Sequence, residues 1–256
     1  MSGTTASINV VTFFVDLGPR PGGFDEFAVL EAMAFSARQS LPGCRLVVLT
    51  DQATTIPDSV GADEIMRFDI PRERLMLCRM QAQRAFLASS LYDAPTTFVD
   101  TDIVFNHSLM SVFDHPFEVG LTYRMDGFCR IDGQVINIPI NGGVMFFQPD
   151  QRKPALAYYQ RALKAHMTQP EKYFAWGGNQ IALLDAVGRE AFFNRDGDDT
   201  VIDGTRYHFF PCETFNHTPP ADAIPGPDEA QDRLVLHFKG KRKSAMADYV
   251  AARWPG

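Results

Sequence analysis

The chain has 256 residues, of which 45% are hydrophobic and 21% charged, and this composition excludes disordered, collagen-like and coiled-coil proteins. Its 31 acidic and 24 basic residues leave a net charge of −7, which argues against a nucleic-acid partner. No run of about 18 apolar residues is present, so no transmembrane segment is expected. Four scattered cysteines without a CxxC pair, and an N-terminus without a basic leader, predict a cytoplasmic protein with reduced thiols.

Strands and helices alternate in the first half of the sequence. Runs of β-branched and aromatic residues predict strands, and apolar residues at helical spacing predict helices. The predicted strands are 8–15, 44–50, 63–68, 96–100 and 103–105, and the predicted helices are 25–41 and 72–90. Strands separated by helices favour an α/β fold with a largely parallel sheet covered on both faces.

The second half is less regular. The predicted strands are 117–123, 131–138, 143–147 and 234–237, with a hairpin at 200–202 and 205–210. Helices are predicted at 154–166, 179–187 and 244–253, and the four prolines within 218–227 predict a loop. No composition break or repeat divides the chain, so a single mixed α/β domain is expected.

Two carboxylates follow the predicted strand 96–100, within the segment FVDTDIVF. Asp100 and Asp102 are one residue apart, so both can reach a hard divalent cation through oxygen ligands. The pattern alone is weak, because 22 aspartates in 256 residues give roughly two such matches by chance. The flanking apolar runs distinguish this match, since an unpaired carboxylate is costly in an apolar environment. The alternative is that Asp100 caps the strand end and Asp102 is solvated.

A second candidate segment, HFKGKRK, lies near the C-terminus and carries an H-x-x-G-x-x-K pattern at His237, Gly240 and Lys243. Chance predicts only about 0.01 such matches in a chain of this composition. Imidazole is a common ligand for manganese-type ions, glycine permits close approach of an anion, and the cations supply positive charge. The alternative is a solvated basic turn with a partly buried histidine.

Two further segments combine glycines with polar side chains. Asn141 precedes two glycines, which can offer amide and backbone groups to a polar ligand, although a plain turn has the same pattern. Trp176 is followed by two glycines and by Asn179 and Gln180, a combination compatible with stacking on a sugar and binding its hydroxyls. The alternatives are a helix cap at Asn179 and a core position for Trp176.

The segments FVDTDIVF, NGGVMFF, GGNQ and HFKGKRK, in this order, resemble the nucleotide-sugar glycosyltransferases of GT-A fold. The resemblance is closest to glycosyltransferase family eight, the glycogenin and bacterial galactosyltransferase group. The motif H-x-x-G-x-x-K-P-W of that family matches at His237, Gly240 and Lys243, but Ser244 and Ala245 replace Pro-Trp. The Asn-x-Gly-Val element matches at 141–144, and an Asn-Gln pair replaces the Asp-Gln of the family at 179–180.

The resemblance implies one GT-A type domain with a mixed, mainly parallel central sheet flanked by helices. It implies a nucleotide-sugar donor half at about 1–106, and an acceptor half at about 107–256 that ends in a metal- and diphosphate-binding segment. The implied activity is metal-dependent transfer of a sugar, with retention, to a hydroxyl of a glycan, lipid-linked or small-molecule acceptor. A UDP-sugar is expected ahead of a GDP-sugar.

Site residues follow from the same resemblance and from the rule that ligands gather at the carboxyl ends of parallel strands. Asp100, Asp102 and His237 would hold Mn²⁺ or Mg²⁺. The other donor contacts are expected at Thr12, Asp16, Asp51, Arg79, Thr101, Gly240 and Lys243. Asn141, Asn179 and Gln180 would face the sugar or the acceptor, and Arg84 is a weaker phosphate candidate. If the enzyme inverts instead, the base would be a carboxylate such as Asp126, Asp132 or Asp185.

Two other functions are compatible with parts of the sequence. Asp100-Thr101-Asp102-Ile103-Val104 also resembles the nucleophile motif of haloacid dehalogenase-type phosphatases, and Gly197, Asp198 and Asp203 resemble their later magnesium element. That reading leaves the H-x-x-G-x-x-K pattern unexplained. A non-catalytic nucleotide-sugar binder is the other alternative, because Asn179 and the missing Pro-Trp depart from the family pattern.

Overall fold

A computed structural model describes residues 7–18, 23–131, 133–174, 177–222 and 224–255. An eight-stranded mixed sheet lies at its centre, with the strand order β10-β11-β6-β9-β4-β1-β2-β3. Its strands are β1 (Asn9–Phe13), β2 (Arg45–Asp51), β3 (Glu64–Phe68), β4 (Thr96–Val99), β6 (Val119–Tyr123), β9 (Ile140–Phe147), β10 (Asp199–Ile202) and β11 (Thr205–Pro211). The predicted mixed, mainly parallel sheet is confirmed, because β4, β1, β2 and β3 run parallel, as do β6 and β11.

The other four described strands form two small two-stranded sheets. β5 (Ile103–Phe105) pairs antiparallel with β12 (Val235–His237), and β7 (Phe128–Ile131) pairs with β8 (Gln134–Asn137). The β5–β12 pair joins the first half of the chain to its C-terminal segment.

Helices cover both faces of the central sheet, as predicted. They are α1 (Glu26–Ser40), α2 (Leu75–Ala88), α3 (Arg152–Met167), α4 (Gly178–Val187), α5 (Arg189–Phe193), α6 (Cys212–Phe215) and α7 (Met246–Arg253). The buried side chains of α1 and α7 form one core cluster with β5 and β12. Those of α2, α3 and α4 form a second cluster, in which the ring of Tyr159 makes T-shaped contacts with those of Phe98 and Tyr158. Val10 and Val48 belong to the first cluster and their strand neighbours Val11 and Val47 to the second, so the two cores lie on opposite faces of the sheet.

The structure corrects three element predictions. The strand predicted at 131–138 is the second arm of a hairpin, β8, whose first arm β7 was not predicted. The helix predicted at 72–90 begins with a 3-10 turn, Arg72–Arg74, after Pro71. The short helices α5 and α6 were not predicted, because four or five residues are too few for a helical period to be visible.

A bulge in β9 is the local feature that matters most for the site. β9 pairs with β6 through Leu121–Met145 and then through Thr122–Asn141, so Gly142, Gly143 and Val144 have no partner on β6. Val144 pairs instead with Val99, at the end of β4. Bulges redirect side chains and are frequent next to active sites. This one brings Asn141 and the two glycines to the carboxyl end of β4.

Candidate active site

Asp100, Asp102 and His237 meet at the carboxyl end of β4. His237 Nε2 lies 3.0 Å from Asp102 Oδ1 and 3.4 Å from Asp100 Oδ2. One potential ligand atom from each residue lies within 4.8 Å of the other two. Asp102 and His237 are buried, and Asp100 is partly exposed. Two carboxylates and an imidazole so close together form a group that could hold a divalent metal ion.

Backbone pairing brings Asp100, Asp102 and His237 close together. β4 ends at Val99 and β5 begins at Ile103, so both aspartates lie in the turn between two buried strands. In the β5–β12 pair, His237 lies opposite Ile103, and Phe238 N donates to Asp102 O at 2.8 Å. Asp100 N donates to Gly143 O at 2.9 Å, which ties the first aspartate to the bulge of β9.

A buried hydrogen-bond chain orients the imidazole of His237. Its Nδ1 lies 2.7 Å from Asn216 Oδ1, and Asn216 Nδ2 donates to Thr122 Oγ1 at 2.9 Å. With Nδ1 as the donor, the lone pair of Nε2 points toward the two aspartates. Metal-binding histidines typically have a polar partner on the second nitrogen in this way.

The pKa values of His237 and Asp102 are both shifted by burial and by neighbouring charges. Burial lowers the pKa of His237, as does the positive charge of Lys239, although Asp102 opposes the shift. Burial would raise the pKa of Asp102, but its interactions with His237 and Lys243 outweigh this and hold that pKa below its usual range. Metal ions bind neutral imidazole and ionised carboxylate, and a lowered pKa favours these forms of His237 and Asp102, respectively.

Gly143 leaves the space that the imidazole occupies. A Cβ atom at this position would lie 2.5 Å from His237 Cε1 and 3.0 Å from Asp100 Oδ2. Any larger residue would therefore displace two of the three candidate ligands. The chemistry of the three ligand atoms, the orientation of His237 and the space at Gly143 together fit a divalent metal ion.

Two cations lie next to the three candidate ligands. Arg79 on α2 contacts Asp100, with Nη1 2.5 Å from Oδ1, and its Nη2 donates to Gly142 O at 3.0 Å. Lys243 Nζ lies 3.2 Å from Glu26 Oε2 and 3.6 Å from Asp102 Oδ2. Gly240, with φ of +62°, begins the 3-10 turn Gly240–Ala245 that brings Lys243 back to the aspartates.

A cavity of about 1060 Å³ opens beside the three candidate ligands. The other predicted site residues that line it are Arg79, Thr101, Asn141, Asn179, Gln180, Gly240 and Lys243. Gly142 and Gly143, which follow Asn141, line it as well. Asn179 does not cap α4, because the helix begins at Gly178 and Gly177 occupies the cap position. The structure therefore brings most of the predicted site residues to one cavity, although their individual roles stay predictions.

Three predicted donor contacts do not line this cavity. Thr12 is buried, and its hydroxyl donates to Val99 O at 3.1 Å, which links β1 to β4. Asp16 accepts from Gly18 N at 2.8 Å, and Asp51 accepts from Thr54 N at 2.7 Å. Phe13, Phe14, Val15 and Leu17, at the end of β1, do line the cavity. A contact of Thr12, Asp16 or Asp51 with the nucleotide stays a prediction.

The remaining candidates divide by location. Asp126 lines the cavity and pairs with Arg124 at 2.8 Å, whereas Asp185 pairs with Arg189 on the α4–α5 corner. Asp132 and Trp176 lie outside the described residues.

Asp198 accepts from the Tyr123 hydroxyl at 2.9 Å, and neither it nor Asp203 lines the cavity. Arg84 does not line it either. The phosphatase alternative is not favoured, because its second acidic element lies apart from Asp100.

Sequence reasoning missed Asn216, Glu26 and Arg124. Asn216 orients His237, but it follows the four-residue helix α6 and carries no motif. Glu26 lies in the first turn of α1 and carries no motif, and the structure shows it paired with Lys243, 217 residues away. No local signal could have linked these pairs.

Within the described residues, no helix is both long enough and apolar enough to cross a membrane.

Comparison with known proteins finds the same fold among solved glycosyltransferases. A glycosyltransferase involved in glycosylation of the major capsid of PBCV-1 has a TM-score of 0.54 and 14% identity, over 95% of this chain and 98% of that chain. The galactosyltransferase LgtC, solved with donor and acceptor sugar analogues, has a TM-score of 0.52 and 14% identity, over 94% and 95%. GlyE of Streptococcus pneumoniae TIGR4 has a TM-score of 0.58 and 13% identity, over 96% of this chain and 60% of that chain.

Sequence comparisons are less informative. No family model matches the chain. A segment of 71 residues is 32% identical to rifampicin phosphotransferase from Streptomyces sp, which is 28% of this chain and 8% of that protein. The resemblance to GT-A glycosyltransferases is therefore confirmed by the structure, at the level of the fold: this chain is a mixed α/β protein of GT-A type.

Proposed function

We propose that this protein is a metal-dependent glycosyltransferase, which moves a sugar from a nucleotide diphosphate-sugar to an acceptor hydroxyl. The observation that carries the proposal is the group Asp100, Asp102 and His237, whose ligand atoms lie within 4.8 Å of one another at the cavity of a GT-A fold. LgtC and GlyE, which share the fold, are glycosyltransferases by name.

The group of three residues would hold Mn²⁺ or Mg²⁺. When bound, the ion supplies positive charge to the diphosphate that leaves as the glycosidic bond breaks. Lys243 lies beside Asp102 and adds a second positive charge on that side, a form of preorganised electrostatic stabilisation. Arg79 holds Asp100 in position through its contact at 2.5 Å, and its predicted contact with phosphate would come from the same guanidinium.

The rest of the cavity has room for the sugar and the acceptor. Asn141, Asn179 and Gln180 line it and present amide groups that can bind hydroxyls. Thr101 and Gly240 line it near the diphosphate side, where backbone groups can approach an anion. A UDP-sugar is the expected donor, and a glycan, a lipid-linked sugar or a small molecule is the expected acceptor. Following the family resemblance, we propose retention of the anomeric configuration.

Calorimetric titration of UDP in the presence of Mn²⁺ tests the proposal. We expect binding by the wild type, its loss in Asp102→Ala, and a weakening of at least about tenfold in His237→Ala, because metal sites lose about 10–100-fold even when a supporting residue is removed. Asp228→Ala, at an exposed position in a loop, is the matched control and should bind as the wild type does. Absence of UDP or GDP binding with any divalent metal would overturn the proposal.

Turnover separates the proposal from its alternatives. Slow release of UDP from a UDP-sugar, dependent on Mn²⁺ and on Asp102, is expected of a glycosyltransferase. Donor binding without hydrolysis or transfer over a broad acceptor panel would instead identify a binding protein. Release of phosphate from a phosphomonoester, lost in Asp100→Asn, would identify a phosphatase.

A further inference from the structure

Lys239 is a cation in the cavity whose ammonium group has no hydrogen-bond or ion-pair partner among the described residues. It follows β12 directly and lines the cavity with its side chain half-buried. Its backbone is tied down, since its N donates to His237 O at 3.0 Å and its carbonyl accepts from Arg242 Nη1 at 3.2 Å. No described residue lies within hydrogen-bond or ion-pair distance of its ammonium group. A half-buried ammonium without an acceptor is costly, so a ligand that supplies one is favoured.

The other cations that line the cavity are already engaged. Arg79 contacts Asp100, Lys243 contacts Glu26 and Asp102, and Arg124 contacts Asp126 through its Nε. Arg72 donates to Asp16 O at 3.4 Å. A divalent ion between Asp100 and Asp102 would offset the charge of these two carboxylates. Lys239 would then keep its positive charge without a counter-ion.

Lys239 and Lys243 have different neighbours beyond the candidate metal ligands. Lys243 lies against α1, beside Glu26 and 5.2 Å from the ring centroid of Phe24. The electrostatic neighbours of Lys239, apart from the two aspartates, are Cys212 at the start of α6 and Arg124 after the end of β6. Both neighbours belong to the second half of the chain and also line the cavity. Apart from the two aspartates, the neighbours of Lys239 therefore belong to the predicted acceptor half, whereas Lys243 contacts Glu26 of the predicted donor half.

We propose that Lys239, with Arg124 beside it, forms an anion-binding subsite that selects acceptor sugars carrying a carboxylate or a phosphate. The inference rests on the proposed glycosyltransferase function, because it assigns the subsite to the acceptor of that reaction. A charged hydrogen bond in a sheltered site is worth about tenfold or more in affinity, and it is lost when the partner cannot accept.

Calorimetry on the protein saturated with UDP and Mn²⁺ tests this subsite. The probes are glucose, galactose and mannose, each in the neutral form, as the uronate and as the 6-phosphate, so that only the substituent at C6 varies. We expect the wild type to bind at least one anionic form about tenfold more tightly than its neutral parent. Preference for the uronate or for the phosphate identifies which anion the subsite accepts.

Three variants assign the preference to Lys239. Lys239→Met keeps the length and apolar character of the side chain, and it should reduce the preference to within about twofold while UDP binding stays within about twofold. Lys239→Arg should keep the preference. Lys241→Met is the matched control, because Lys241 is exposed and does not line the cavity, and it should behave as the wild type does.

The outcomes distinguish failure of the subsite from failure of the function. If UDP with Mn²⁺ does not bind to the wild type, the glycosyltransferase proposal fails and the subsite fails with it. If UDP binds but neutral and anionic sugars bind equally, or none binds, only the subsite is overturned. The same holds if the preference survives in Lys239→Met. A tenfold loss of UDP affinity in Lys239→Met would assign Lys239 to the diphosphate instead.

Discussion

Gly143 shows how one missing side chain defines the candidate metal site. Its backbone carbonyl accepts from Asp100 N, and its Cα faces the imidazole of His237. The imidazole has little room to move away from Gly143, because it is buried and its Nδ1 is hydrogen-bonded to Asn216. The absence of a Cβ at Gly143 is therefore a condition for Asp100 and His237 to share the site.

Gly143→Ala should weaken Mn²⁺ binding by at least about tenfold, because it displaces residues that position the candidate ligands. It should also destabilise the fold by about 1–3 kcal/mol, since a methyl group forced into a packed site causes strain. Calorimetry with Mn²⁺ and urea unfolding measure the two effects. Gly226→Ala is the control, because a Cβ at that exposed position meets nothing within 4 Å. Wild-type affinity in Gly143→Ala would show that the site tolerates the shift.

Asn216 is the second residue on which the site depends. In Asn216→Leu the buried Nδ1–H of His237 loses its acceptor, which costs about 1–3 kcal/mol of unfolding free energy. Mn²⁺ affinity should fall about 10–100-fold, because the imidazole is no longer held in one tautomer and orientation. Asn194→Leu, at an exposed position after α5, should change neither quantity. Equal Mn²⁺ affinity in Asn216→Leu and the wild type would contradict the orienting role.

At the residue scale, pattern alone could identify Asp100, Asp102 and His237 but not the residues that orient them. The aspartates follow a buried strand, and His237 lies in a pattern that chance rarely produces. Asn216 and Glu26 become informative only through distances between elements far apart in the chain, and so does the difference between Lys239 and the other cations of HFKGKRK. A single sequence does not encode such distances in any local signal.

At the scale of elements, buried strands were easier to predict than the segments that bend. β1, β2 and β4 consist mainly of β-branched and apolar residues that are nearly all buried, which is typical of strands covered on both faces. The bulge in β9 and the hairpin of β7 and β8 depend on which partner each residue finds across the sheet. Alternation in the sequence indicates a strand but not its partner or its register.

The contact of α3 with the segment before α4 contains a buried titratable group, His166. Its ring stacks on Phe174, with the centroids 5.3 Å apart and the planes inclined by 26°. Burial lowers the pKa of His166 below its usual value. The unfolded chain therefore binds a proton at a higher pH than the folded chain does.

The stability that neutral His166 confers should be complete above the unfolded pKa of about 6.5, and it should be lost as the pH falls below that value. In His166→Phe the free energy of unfolding should fall less steeply between pH 7.5 and 5, by at most about 1.4 kcal/mol per pH unit. Urea unfolding at several pH values measures the slope. The exposed His115, replaced by Gln, provides the control. An unchanged slope in His166→Phe would show that this histidine does not contribute to acid destabilisation.

At the scale of the whole molecule, the candidate metal site joins the first half of the chain to its C-terminal segment. Asp100 and Asp102 come from the first half, and His237 and Lys243 come from the last twenty residues, joined through the β5–β12 pair. A ligand that binds only this assembled arrangement stabilises the folded state by mass action.

Mn²⁺ at about 100 times its dissociation constant should stabilise the fold by about 2.7 kcal/mol, which corresponds to a rise of about 5–10 °C in the melting temperature. Removal of the metal with EDTA should reverse the shift. Thermal melting of the wild type, His237→Ala and Asp228→Ala provides the measurement, and only His237→Ala should lose the effect. A similar rise in all three proteins would place the stabilising ion elsewhere.

The sequence by itself determined the α/β class, the order of the main strands and helices, and the three candidate metal ligands. These features depend on local periodicity and on residue types at short spacing, which a chain carries wherever its partners lie. Only the tertiary structure decided the strand order of the sheet, the bulge that opens space at Gly143, and the hydrogen bond that orients His237. It alone separated Lys243, which is paired with Glu26, from Lys239, which has no counter-ion in the part of the chain that the structure describes. These features depend on contacts between residues tens to hundreds of positions apart, and packing rather than local sequence sets such distances.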